Sequence, residues 1–233
     1  LVKMKDRFVS DSIFCVAYEH MDRGSIRRRM RKRFPNGLPE KAILFTLRSV
    51  LQGLRAIHRA GLVHGEVNAG HVFMSSSLEI KLGFAATVHD EDDDEPIPES
   101  SSSYLRAAEI CEWAAAPELY GGSRATQGGD MWMVGVAALE MGYGRLEFGS
   151  RDEFMEWVER IRRKGKLPKD EIGGGKKCEV LMMLAMMKKE VKRRGRCFSR
   201  EFVDMVMTCL AAEAGERSTA TELLRSDLFG KLD

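Results

Sequence analysis

A polar loop held between two regular stretches constrains this chain more than any other part of it. Upstream, Ile43, Leu44, Leu47, Leu51, Leu54 and Ile57 recur at the 3.6-residue period, and Pro39 and Glu40 open that segment. The pattern predicts an amphipathic helix from about residue 39 to Ala60. Downstream, Val72-Phe73 and Ile80-Lys81-Leu82 flank Ser75-Ser76-Ser77 and predict a small hairpin. The connection, Leu62-Val63-His64-Gly65-Glu66-Val67-Asn68-Ala69-Gly70-His71, carries two imidazoles, a carboxylate and an amide on alternate or nearby positions. A loop so rich in chemistry, fixed at both ends by regular elements, is the first place to look for function.

The rest of the chain reads mainly as helix. Ile13 to Tyr18 is a short apolar, partly β-branched run and predicts a strand. Asp22-Arg23-Gly24-Ser25 is a turn able to cap the basic helix expected from Ser25 to Phe34, which Pro35-Asn36-Gly37 breaks. Gly129 to Gly142 predicts a very apolar helix and Phe154 to Arg163 an amphipathic one. Phe202 to Ala212 and Ala220 to Leu228 complete the array. Residues 89–103 contain the acidic run Asp90 to Glu95, prolines and serines, a composition unable to bury a core and expected to be flexible. Gly173 to Arg196, rich in Met and in Lys and Arg, reads as a helix or a loop.

Five motifs in order carry a family resemblance. The loop at His64 has the outline of H-R-D-x-x-x-x-N. Ile80-Lys81-Leu82-Gly83-Phe84-Ala85-Ala86 stands where D-F-G would follow, with eighteen residues from Glu66 to Phe84. Ala116-Pro117-Glu118 is an intact A-P-E. Asp130-Met131-Trp132-Met133-Val134-Gly135 is similar to D-x-W-S-x-G, and its aspartate lies twelve residues beyond Glu118. Cys209 to Thr219 resembles a closing C-L-x-x-D-P-x-x-R-P-T. The chain thus resembles a protein kinase from about Phe8 to Phe229. Phe14 to Ile26 resembles the fifth strand and hinge of the germinal-centre kinase group in particular.

The resemblance implies a protein kinase-like fold: a mainly α large lobe with a remnant of the small-lobe β-sheet. Residues 1–24 would be remnant small-lobe strands and hinge, and residues 25–233 the large lobe, with an activation-segment region at 84–118. No Gly-rich phosphate loop, strand lysine or small-lobe helix glutamate is present before Phe14. The working residues of the loop are exchanged. Glu66 stands at the catalytic-base position, Asn68 at that of the loop lysine and His71 at that of the metal-binding asparagine, all degenerate. Phe84 replaces the metal-binding aspartate. Tyr18, Glu19, Met21 and Phe73 would line the adenine pocket, where Tyr18 and Phe73 either fill or only reshape the space. Gly65 takes the place of the arginine that in many kinases reads activation-loop phosphate.

Loss of both metal contacts argues against phosphoryl transfer, since imidazole is a poor ligand for Mg²⁺. A retained base without metal restores little, since proton transfer contributes about 10²–10⁴-fold. The fold-holding positions survive: Asp130, Trp132, Gly135, and the expected Glu118–Arg217 ion pair. The reading is therefore a catalytically impaired pseudokinase, a binding or scaffold module or an allosteric partner of an active kinase. No cofactor and no metal site are expected. The alternative is a Ser/Thr kinase with residual activity, which would need ATP and Mg²⁺. A decaying gene product with no selected function is a third reading.

Composition limits the other classes. The 233 residues are 44% hydrophobic, enough for a core, and the net charge of +2 gives no field that argues for nucleic acid or membrane. No apolar run reaches the roughly 18 residues of a membrane span. The five cysteines lack C-x-x-C spacing, which suits reduced thiols in the cytoplasm or nucleus. Several segments keep two readings. Arg27 to Arg33 is a phosphate-binding or import patch, or a solvated helix face. The acidic run docks on that patch or is solvated. Ser100 to Ser103 are phosphorylation targets or plain linker. Met182, Met183, Met186 and Met187 form a partner surface or ordinary packing. His64, Glu66 and His71 ligate a metal, or His64 is the structural histidine that the resemblance implies.

Overall fold

A computed structural model describes residues 1–10, 13–83, 113–120, 125–144, 146, 148–168 and 198–230. Phe84, the acidic run, the serine run, residues 108–112 and the methionine-rich segment lie outside the described residues. Among the described residues the strands form two antiparallel pairs: β1 (Met4–Ser10) with β2 (Ile13–Tyr18), and β3 (Val72–Met74) with β4 (Ile80–Leu82). The helices are α1 (Ile26–Arg33), α2 (Glu40–Arg59), α3 (Pro117–Tyr120), α4 (Gln127–Tyr143), α5 (Arg151–Lys164), α6 (Arg200–Cys209), α7 (Ala220–Arg225) and α8 (Asp227–Gly230). This is the helical large lobe with a small strand pair that the sequence predicts. No helix among the described residues is long and apolar enough to cross a membrane.

The core forms around α4. Every residue from Gly129 to Tyr143 is buried, as a helix apolar on all sides must be. Thr126 starts it, its hydroxyl accepting from the Gly129 N–H at 2.9 Å. On one side α2 buries the six residues predicted from its period, together with Val50 and Gly53. On another, Gly135 lets α6 approach closely: a Cβ there would lie 2.9 Å from Cys209 and from Leu210. The far side meets α5 through Trp113, Trp132, Phe148, Phe154 and Trp157, whose rings sit edge-on, tilted or stacked at centroid distances of 5.1–6.4 Å.

The break after α1 is a tight backbone contact. Gly37 and Gly144 both have positive φ, and the Leu38 N–H donates to Met141 O at 2.7 Å. A Cβ on Gly37 would meet Gly142 O at 2.3 Å, and one on Gly144 would meet Pro35 O at 2.1 Å. Glycine is therefore required at both places.

Three boundaries differ from the sequence reading. Helix α5 begins at Arg151 because the Ser150 hydroxyl caps Glu153 N–H at 3.2 Å. Helix α6 runs from Arg200, capped by Ser199, and stops at Cys209 rather than Ala212. The helix predicted from Ala220 to Leu228 is two helices. Ser226 adopts extended backbone and returns its hydroxyl to Leu223 O at 2.7 Å, which interrupts the ladder.

Candidate functional site: the loop at His64

Helix α4 holds the start of the loop by one buried carboxylate. Asp130 Oδ2 accepts from the His64 N–H at 2.8 Å and Oδ1 from the Gly65 N–H at 2.7 Å. His58, from the last turn of α2, adds a third bond, Nε2 to Oδ2 at 2.8 Å. A charge buried on an apolar helix needs such partners. Asp130 thereby fixes where the loop leaves α2.

His64 is structural. Its Nε2 faces Gly83 O at 2.9 Å, and its Nδ1 faces the Glu66 N–H at 3.2 Å. A carbonyl only accepts and an N–H only donates, so the proton resides on Nε2. Burial holds the imidazole below its ordinary pKa, against the pull of the Gly83 carbonyl and the Asp130 charge. Both ring nitrogens are engaged, which favours the structural reading of His64 over ligation.

The remaining loop residues close on one another. His71 Nδ1 lies 2.7 Å from Glu66 O and so carries the proton. Asn68 is buried; its Nδ2 donates to the same carbonyl at 3.1 Å, and its Oδ1 accepts from the Gly70 N–H at 2.8 Å. The Glu66 carboxylate lies beside them, Oε2 3.8 Å from His71 Nδ1, and that oxygen is buried with no hydrogen-bond partner among the described residues. Glu66, Asn68 and His71 are thus brought together, but Asn68 is internal packing and reaches no outside group. Among the described residues no three His, Cys, Asp or Glu side chains converge in a way that could hold a metal ion.

A second carboxylate braces the loop. Glu140, the one acid on α4 besides Asp130, accepts Arg27 Nε at 2.5 Å, Arg27 Nη2 at 3.2 Å and the Ala69 N–H at 3.1 Å. The Arg27 N–H donates to Ala69 O at 3.0 Å. Helix α1, the loop and α4 meet at this point. The sequence reading of Arg27 to Arg33 as one surface patch is corrected here: Arg27 points inward, and Arg31, Lys32 and Arg33 are exposed. Sequence reasoning missed Glu140 and His58. The signal was present, since a lone acid deep in an apolar helix demands a cation.

The hinge residues frame the other side. Tyr18 ends β2 opposite Met4, half-buried. Glu19 accepts the Lys3 N–H at 2.7 Å and Lys81 Nζ at 3.0 Å on both oxygens, so it straps β4 to the hinge. The Lys3 N–H, and then Lys81, hold its carboxyl below the usual range. Met21 is buried. Phe73 bridges to Ser25, and its ring lies so near Gly83 that a Cβ there would be 2.8 Å from Phe73 Cε2.

The A-P-E glutamate lies where the resemblance implied. Glu118 Oε1 meets Arg217 Nη1 at 2.7 Å and Oε2 meets Nη2 at 2.8 Å. Arg217 also donates to Ala211 O, Gly128 O and Ala212 O at 2.8–3.0 Å and lies over the Trp132 ring.

The fold is that of a protein kinase, and comparison with known proteins agrees. The protein kinase domain family model matches residues 1–229, and the chain belongs to that family. It is 25% identical over 200 residues to mitogen-activated protein kinase 12 of Mus musculus, covering 84% of this chain and 52% of that protein. It is 28% identical over 156 residues to mitogen-activated protein kinase kinase kinase 20 of Arabidopsis thaliana, covering 65% and 44%. Over 222 residues it is 23% identical to the serine/threonine-protein kinase KIC1 of Saccharomyces cerevisiae, covering 94% of this chain and 17% of that one. The chain spans about half the length, or less, of these relatives.

Proposed function

We propose that this chain is a catalytically impaired kinase domain of the germinal-centre type, acting as a binding, scaffold or allosteric module in Ser/Thr kinase signalling. The observation that carries the reading is His71. It stands at the metal-binding asparagine position, and its Nδ1 is turned to Glu66 O. An imidazole there offers no oxygen, and Phe84 has no donor atom. That donor set does not fit Mg²⁺, which takes oxygen ligands in near-octahedral array. Asn68 adds no positive charge toward a phosphate, and its amide is held within the loop.

The residues that keep their roles are those that hold the lobe together: Asp130, Trp132, Gly135, Glu118 and Arg217. A preserved frame around an exchanged loop supports a role in binding, with a protein partner, such as an active kinase, in the cytoplasm or nucleus. The likeness of Phe14 to Ile26 to germinal-centre hinges supports that group. The rival is residual phosphotransfer, favoured by one feature: Glu66 keeps a carboxylate with a half-exposed side chain.

A phosphotransfer assay with labelled ATP, Mg²⁺ or Mn²⁺ and a generic Ser/Thr substrate tests the reading, with Glu66→Ala as control. Incorporation indistinguishable from that of Glu66→Ala is expected. Incorporation that Glu66→Ala abolishes would establish the rival.

A further inference from the structure

We propose that the cleft at the C-terminal end of α2, opposite the start of α4 and the first residues of α7 with their cap Thr219, binds a tetrahedral oxyanion of the phosphate class. The cleft has a volume of about 200 Å³ and is lined by Arg55, His58, Arg59, Gln127, Thr219, Ala220 and Thr221. No carboxylate lines it.

Arg55 and Arg59 are the reason for the assignment. They stand four residues apart on α2, so they neighbour each other on one face. Among the described residues neither has an ion-pair or hydrogen-bond partner. The arginines that turn into the fold are tied down, Arg27 by Glu140, Arg217 by Glu118 and three carbonyls, Arg151 by Trp113 O and Ala115 O. What sets Arg55 and Arg59 apart from exposed arginines such as Arg31 and Arg33 is that the two line one cleft together. Cations in a last helical turn complement the helix dipole, which accounts for their sign. It does not account for two arginines lining one cavity together with Thr221 and Gln127, whose amide keeps one N–H beyond its bond to His58 O. Guanidinium pairs with phosphate oxygens bidentately, and hydroxyls and amides complete the shell.

The rest of the lining is already set. The Gln127 amide donates to His58 O at 3.0 Å, and the Thr219 hydroxyl is held in the capping box with Glu222. His58 is also the residue whose Nε2 grips Asp130, so the cleft adjoins the strap that holds the loop. The proposal is independent of whether that loop transfers phosphate. The phosphate group would be free inorganic phosphate or a phosphorylated side chain of another protein.

The test is an NMR titration of the 233-residue chain with inorganic phosphate and, separately, with a phosphoserine peptide, read at the arginine Nε–H signals. Saturable shifts at Arg55 and Arg59 are expected. They should weaken at least tenfold in Arg55→Gln/Arg59→Gln and stay unchanged in Arg31→Gln, which removes the same charge from exposed α1. A tighter fit for the peptide would identify a carried phosphate, and equal affinity the free ion. Absence of saturable shifts with both probes, or equal loss in Arg31→Gln, overturns the proposal. If the double variant fails to fold, the wild-type shifts at the two arginines still decide.

Discussion

Arg217 and Glu118 form a two-pronged ion pair across 99 positions of sequence, and all five guanidinium N–H bonds are used there: two on the carboxylate and three on carbonyls. Removing the carboxylate leaves a buried cation with unmatched donors. Glu118→Ala or Arg217→Ala should cost about 3–5 kcal/mol in urea denaturation. Arg217→Lys should recover little, since an ammonium cannot reproduce the planar fork. A loss under about 1 kcal/mol would mean the pair is a surface contact in solution.

The same pair sets an acid limit. Burial works to raise the Glu118 pKa, but the Arg217 hydrogen bonds and charge outweigh it and the net shift is downward. A carboxyl whose folded pKa is depressed stabilises the fold above its unfolded value and loses that contribution as pH falls through the folded one. Stability should therefore decline below about pH 4.5, near the unfolded carboxyl range. Glu118→Gln should be less stable at neutral pH and show a shallower decline. Parallel melting curves against pH for the two proteins would contradict the account.

Glu140 couples three elements, and its loss should be local. Glu140→Gln leaves Arg27 half-matched and weakens the contact to the Ala69 N–H. Amide hydrogen exchange at Ala69 and His71 should accelerate, while the centre of α4 keeps its protection. Arg27→Met paired with Glu140→Leu should be less destabilising than either change alone, since a buried pair is replaced more readily than broken. Equal or additive losses would show that Arg27 and Glu140 do not interact.

Thiol reactivity separates two cysteines. Burial pushes the Cys209 thiol up to about 12, so almost no thiolate exists at pH 8. Cys15 is half-buried on β2. Mass spectrometry after brief alkylation of the native protein should show Cys15 modified and Cys209 untouched until denaturant is added. Early labelling of Cys209 would mean the α4–α6 contact opens readily.

Much of this fold is legible in the chain because its two main signals are periodic. The α2 stripe predicts its buried face residue by residue, and the unbroken apolar run of α4 predicts a central helix. The five motifs placed the loop, Glu118 and Arg217 in order. What escaped was set by particular side-chain contacts, one of them distant in sequence and two local. Arg27 looks like its basic neighbours in sequence, and only the position of Glu140 turns it inward. Asn68 reads as a substituted lysine, yet its side chain belongs to the loop's own hydrogen bonds. Ser226 ends a helix that period alone would continue, through a side-chain bond to Leu223.

The exchanged loop positions can be reversed. His71→Asn with Phe84→Asp places two oxygen-bearing side chains at the positions that bind metal in the family, and on the proposed reading should introduce metal-dependent ATP binding. A ligand at 100-fold its Kd stabilises by about 2.7 kcal/mol, and each kcal/mol moves the Tm by about 2–4 °C in a domain of this size. The double variant should therefore melt several degrees higher with ATP and Mg²⁺ than with ATP alone.

The central claim is that the native loop does not hold a metal–nucleotide complex. A thermal-shift titration of the unmodified chain with ATP, alone and with Mg²⁺ or Mn²⁺, tests it most directly. The account predicts that adding metal produces no rise in Tm at saturating ATP. A saturable, metal-dependent rise would contradict it and would mean that His71 and Phe84 do not disable the site.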